Sequence, residues 1–110
     1  MPKNITLKRG SSIAYIPTHI ERSIPKKQWL DHKDTQIGFV TSIKGNIIFC
    51  RYWNLEWKTL RTRANSEGAN RENVYPLNEL VTPCRKKMGD FPPKKVINAW
   101  LTIIDYERKA

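Results

Sequence analysis

Tyr52, Trp53 and Trp57 lie among Arg51, Lys58, Arg61 and Arg63 in the stretch CRYWNLEWKTLRTR. These residue types at this density suit one chemistry well. Aromatic faces stack on unpaired bases, and guanidinium and ammonium groups meet phosphates. Recognition of single-stranded or folded RNA calls for both. The same rings have a plainer use: Tyr52 fits a core position, and Trp53 and Trp57 can anchor the chain that follows. A third use is a cage for a methylated cation, built from Tyr15, Phe39, Tyr52, Trp53 and Trp57. Such cages call for an acidic neighbour, and Glu56 alone is close by. Arg71 and the run Arg85-Lys86-Lys87 extend the set of candidate binding residues.

No catalytic pattern stands beside these residues. Gly10, Gly38, Gly45, Gly68 and Gly89 are isolated, so no glycine-rich phosphate loop is present. There is no Gly-x-Ser-x-Gly elbow. Asp31, His32 and Asp34 cluster in a polar segment that reads as a loop, and His19 lacks a nucleophile partner. The chain is expected to be non-enzymatic and to need no cofactor. Cys50, Cys84, His19 and His32 are possible zinc ligands, but no two have the close spacing of structural zinc sites, so no metal is expected. Two cysteines do not make a disulfide framework, and Cys50 reads as a buried thiol in an apolar strand.

The elements that position these residues follow from pattern. A chain of 110 residues suits one domain with one modest core. No apolar run approaches the ~20 residues of a membrane span, and the first residues lack the apolar core of a signal peptide. A cytoplasmic location is the expectation. Twenty Lys and Arg against ten Asp and Glu give a net charge of +10, which favours polyanionic partners.

Residues 1–9 read as a basic arm. From Gly10, Ile13 and Tyr15 alternate with smaller partners and Pro17 stops the run, which predicts a strand. Residues 18–35 are a polar connection docked by Ile20, Ile24, Trp29 and Leu30, with a helical turn near Lys26–Leu30. The stretch DTQIGFVTSIKGNIIFCRYWN predicts a hairpin with a two-residue turn at Gly45-Asn46 or Lys44-Gly45. Either turn places Ile37, Phe39, Thr41 and Ile43 on one face with Ile48, Cys50 and Tyr52, the core face. Val40, Ser42, Phe49, Arg51 and Trp53 then share the other. Residues 54–72 form a long basic excursion, with a short strand at Thr59–Arg63. A strand, a helical turn at Pro76–Leu80 and another short strand follow. After the basic linker from Cys84, Ile97, Trp100, Leu101 and Ile104 fall at i, i+3, i+4 and i+7, one stripe of an amphipathic C-terminal helix. That stripe either packs at home or serves as an interface for a second copy or a partner.

Gly10…Tyr15-Ile16-Pro17…His19, Gly38-Phe39-Val40-Thr41-Ser42, Phe49-Cys50-Arg51-Tyr52 and Pro76-Leu77-Asn78-Glu79-Leu80 resemble the small SH3-like barrels of tailed phages, related in shape to KOW and Tudor barrels. The resemblance spans residues 10–83. It implies a mainly β fold, a small SH3-like barrel, with residues 84–110 as basic linker and helix. It also implies a phage or mobile-element origin and a bacterial host cytoplasm, and it brings no catalytic residues. The function expected is binding of nucleic acid, or of a nucleic-acid-processing protein complex, through a basic, aromatic-containing surface. The alternative is an inhibitor of a host enzyme or defence complex, of anti-CRISPR type, acting through protein contacts.

Overall fold

A computed structural model describes residues 7–54, 59–60 and 67–109. Its centre is the hairpin of β2 (Gln36–Lys44) and β3 (Ile47–Asn54). The turn is Gly45-Asn46, with Gly45 at φ +60°. A glycine in the first central position is the requirement of a II′ turn, whose twist matches the strands it joins.

Near the turn the pairing is as the sequence predicts: Ile43 lies opposite Ile48, and Ser42 opposite Phe49. The register then shifts between Val40 and Ser42. Thr41 is the extra residue of a β-bulge, and its hydroxyl donates to the Phe49 carbonyl at 3.0 Å. Beyond it Val40 faces Cys50, Phe39 faces Arg51, and Gly38 faces Tyr52. One inserted residue reverses the side of everything that precedes it on β2. Val40 therefore joins Ile48, Cys50 and Tyr52 in the inner core, and Phe39 leaves it. Ile37 leaves it too and packs with the helical layer. These three assignments correct the sequence reading, which had Ile37 and Phe39 inside and Val40 outside.

Gly38 is fixed by this register. A Cβ there would stand 2.0 Å from the Arg51 carbonyl oxygen, so no side chain fits while β2 and β3 remain paired.

The remaining strands are β1 (Ser12–Tyr15), β4 (Thr59–Leu60), β5 (Glu67–Asn70) and β6 (Val74–Pro76). The antiparallel order is β4-β3-β2-β1-β6, with β5 also paired to β3. β5 runs beside Ile47–Cys50 and β4 beside Trp53–Asn54, so the two share one edge of β3. A 3-10 turn, Arg71–Asn73, links β5 to β6. Asn73 fastens that corner: its side-chain amide donates to the Ile16 carbonyl, and its carbonyl accepts from the Ile16 N–H. The sheet is open rather than closed into a ring.

Its inner face carries Ile13, Val40, Ile48, Cys50, Tyr52, Ala69 and Val74. The other face is covered by helices. α1 (Thr18–Ser23) and a 3-10 turn (Lys26–Asp31) occupy the long connection from β1 to β2. With α2 (Leu77–Val81) they enclose Ala14, Ile16, Ile20, Trp29, Leu30, Leu77 and Leu80. That connection reads in the sequence as a mostly irregular loop, and its helical content makes the protein a mixed α and β domain rather than a mainly β one. The strand expected after α2 is not formed, because α2 continues through Val81 into a turn. Of the strand expected at Thr59–Arg63, Thr59 and Leu60 pair with β3, and Arg61–Arg63 lie outside the described residues.

α3 (Lys94–Lys109) lies over the hairpin. Ile97 and Ile104 are buried with Phe39, while Trp53, Leu60, Trp100 and Leu101 pack half-buried around them. Arg9 ties the helix to the start of the sheet through an ion pair with Asp105 at 2.6 Å.

Candidate nucleic-acid interface

The hairpin site expected from the sequence is largely inside the molecule. Arg51 is only 5% exposed. It stands opposite Phe39, on the face that α3 covers. Burial lowers the pKa of its guanidinium, and Glu107 of α3 acts in the opposite direction. Arg51 is therefore part of the sheet–helix layer, not an exposed phosphate ligand. Trp53 leans on Phe39, with ring centroids 5.2 Å apart at 47°. Tyr52 faces inward, 3% exposed, edge-on to Tyr15. Burial pushes the Cys50 thiol beside it up to about 12, and raises the Tyr52 phenol as well. Trp57, Lys58, Arg61 and Arg63 lie outside the described residues. Ile97, Trp100, Leu101 and Ile104, the stripe considered as an interface, pack on the chain's own sheet.

Another basic surface is assembled at α2. The Cys84 thiol donates to the Lys26 carbonyl at 3.2 Å, and Lys86 Nζ pairs with Asp31 Oδ1 at 2.8 Å. These contacts join the run Arg85-Lys86-Lys87 to the 3-10 turn that begins Lys26-Lys27. Asp31 raises the Lys86 pKa through that hydrogen bond. Lys26 reaches over the Trp29 ring, 5.9 Å from its centroid. Lys26, Lys27, Arg85 and Lys87 are exposed. Among the described residues, no salt bridge engages these four. Asp90, the nearby acid, accepts from the backbone N–H of Lys87.

The backbone at Arg85 is unusual. Its φ is +58°, and no other non-glycine among the described residues has a positive φ. The cause is the way the segment after α2 ends. The Lys86 N–H donates to Val81 O at 2.6 Å and the Arg85 N–H to Thr82 O at 3.0 Å. This is the bonding of a Schellman motif, which needs a left-handed residue at the position Arg85 occupies. Glycine is the usual occupant, because a Cβ in that conformation costs roughly 1–2 kcal/mol.

Sequence reasoning found Arg85, Lys86 and Lys87 but not Lys26 and Lys27. No local spacing could have found them, since the two segments meet through tertiary contacts at Cys84 and Asp31. Arg71 is not part of this patch by any contact. Its guanidinium donates to the Gly45 carbonyl at 3.1 Å, at the tip of the hairpin. His19 and His32 converge on Asp34, at 3.3 and 3.9 Å, but all three keep solvent contact. Among the described residues, no group of three or more metal-ligating side chains is assembled, and no helix is long and apolar enough to cross a membrane. No family model matches the chain, and no match emerges among curated proteins or solved structures.

Proposed function

We propose that this protein binds nucleic acid, alone or within a nucleic-acid-processing complex, through the patch of Lys26, Lys27, Arg85, Lys86 and Lys87. The observation that carries the reading is Arg85, an arginine held left-handed where glycine is the unstrained choice, in the midst of four lysines. Backbone strain of this kind persists where the side chain has a use. Here the use is a charge aimed at solvent beside Lys87, with the acids nearby already engaged. A phosphate backbone is the ligand that such a patch attracts without help from any pocket.

The strand order supports an SH3-like reading of the sheet. The sheet has a long first connection, a tight central hairpin, and a 3-10 turn before a last strand that returns to β1, and we take it as the SH3-like sheet that the sequence resembles. In the same proposal the chain is a phage or mobile-element accessory protein working in a bacterial cytoplasm.

The test is fluorescence anisotropy with a labelled single-stranded RNA and its DNA counterpart between about 50 and 200 mM salt. Affinity should fall steeply with salt through counterion release. A triple variant, Lys26→Gln with Lys27→Gln and Lys87→Gln, should bind more weakly with a shallower salt slope. A salt-independent binding constant, or a triple variant that binds normally, would reject the patch. Capture of a stoichiometric host protein that survives nuclease, with no RNA or DNA binding, would replace this reading with inhibition through protein contacts.

A further inference from the structure

α3 carries a second apolar stripe, which its packing on the sheet leaves largely exposed. Val96, Ala99, Ile103 and Tyr106 follow one another at intervals of three, four and three residues. That is the a–d–a–d spacing of a coiled-coil seam. Ile103 is 45% exposed and Tyr106 78% exposed. Ala99 is exposed as well, and Val96 is half-buried. The inward stripe of Ile97, Leu101 and Ile104 accounts for the helix's place in its own fold, so these four residues are not needed for it.

We propose that this seam pairs with the same seam of a second copy, the two helices running antiparallel. The spacing is symmetric about its centre, so a two-fold axis places Val96 against Tyr106 of the other copy and Ala99 against Ile103. An interface of this kind is its own complement. Each layer then joins a smaller side chain to a larger one, and the layers fill evenly. A parallel pair would stack Ala99 on Ala99 and Tyr106 on Tyr106, leaving one layer hollow and another crowded. Antiparallel pairing also opposes the helix macrodipoles and keeps Lys94 and Lys95 away from their own counterparts. Beside the centre of the seam lie Trp100 and Thr102, so no like charges meet there. Trp100, half-buried against the sheet, offers the remainder of its ring to the same side.

A three-turn seam is smaller than the ~1,200 Å² of a standard interface, so association belongs at high concentration. The net charge of +10 on each copy opposes it, and salt relieves that repulsion. Dimerisation should therefore strengthen with salt, the reverse of nucleic-acid binding. This separates the two proposals experimentally.

Sedimentation velocity on the full chain should show 12.9 kDa monomers giving way to dimers as concentration rises towards about 1 mM, at lower concentration in high salt. Ile103→Glu should abolish the shift without loss of melting temperature. To test direction, Ala99→Cys and Ile103→Cys proteins are mixed and oxidised in air. Cys50 and Cys84 are buried and do not compete. The mixed disulfide should form in excess over random pairing. A chain that stays monomeric to about 1 mM in high salt overturns the proposal. Predominant Ala99→Cys homodimers overturn the antiparallel arrangement.

Discussion

Arg85→Gly removes two things at once: the Cβ that makes a left-handed backbone costly, and the guanidinium offered to phosphate. At φ +58° an L-residue carries roughly 1–2 kcal/mol that glycine does not. Glycine has more freedom to lose from the unfolded chain, about 0.5–1 kcal/mol. The side chain is exposed, so no interior packing is lost. The net expectation is a gain of about 0.5–1 kcal/mol, or an increase of about 2–6 °C in melting temperature for a domain of this size. Nucleic-acid affinity should fall in the same variant, and the slope of log K against log salt should become shallower by about one phosphate's share, ~0.9 for duplex and ~0.7 for single strands. Calorimetric melts and anisotropy titrations on one preparation read both. Arg85→Ala is the control: it keeps the Cβ, so its melting temperature should stay near that of the parent while its binding falls. A lower melting temperature for Arg85→Gly would refute the assignment of strain to this residue. A higher one with unchanged affinity and slope would show that the arginine has no ligand.

The interior gives three further expectations. Arg51→Ala should cost about 2–3 kcal/mol in chemical denaturation, well above the ~0.5 kcal/mol of an exposed charge, because its side chain is buried on the face of the sheet that α3 covers. Gly38→Ala should destabilise by several kcal/mol or abolish folding, since its methyl would meet the Arg51 carbonyl, and backbone cannot yield as a side chain does. Above its ordinary pKa of 9.0 the Cys50 thiol loses its proton when unfolded but keeps it in the native state up to about 12. Stability should therefore fall as pH rises across that window, and urea melts from pH 7 to 10 should show the fall begin; Cys50→Ser should flatten it.

The sequence was legible where a signal is local. The two-residue turn, the inward face of β3, the helical turns at Lys26–Leu30 and Pro76–Leu80, and the inward stripe of α3 all follow from periodicity and turn chemistry over a few residues. The faces of β2 were not legible, because nothing in GFVTSIK marks Thr41 as the residue that drops out of register. Once it does, Phe39 and Val40 exchange sides. That exchange gives α3 a large aromatic to sit on and draws the covered face, Arg51 with it, into the interior. The binding patch was half legible. The run Arg85-Lys86-Lys87 is plain in the sequence, whereas Lys26 and Lys27 join it only through tertiary contacts at Cys84 and Asp31. The left-handed backbone at Arg85 could not be read at all, since arginine is not the residue that conformation favours.

The bulge at Thr41 also bears on how this protein avoids sticking to itself as sheet. β1 accompanies β2 from Gln36 to Phe39, and Gly10 and Ser11 continue the pairing as far as Val40. Past that point, among the described residues, no strand lies on the β1 side of β2, and Ser42–Lys44 form an open margin. An open margin on a flat, apolar strand is a template for other chains, the first step towards aggregates. The bulge falls where the cover ends. Its local twist turns the uncovered end away from the plane in which another strand could add, and Lys44 closes that end with an exposed charge. A chain with Thr41 deleted keeps every β2–β3 pair but straightens the margin. Its cost would then appear less in the melting curve than in the soluble yield.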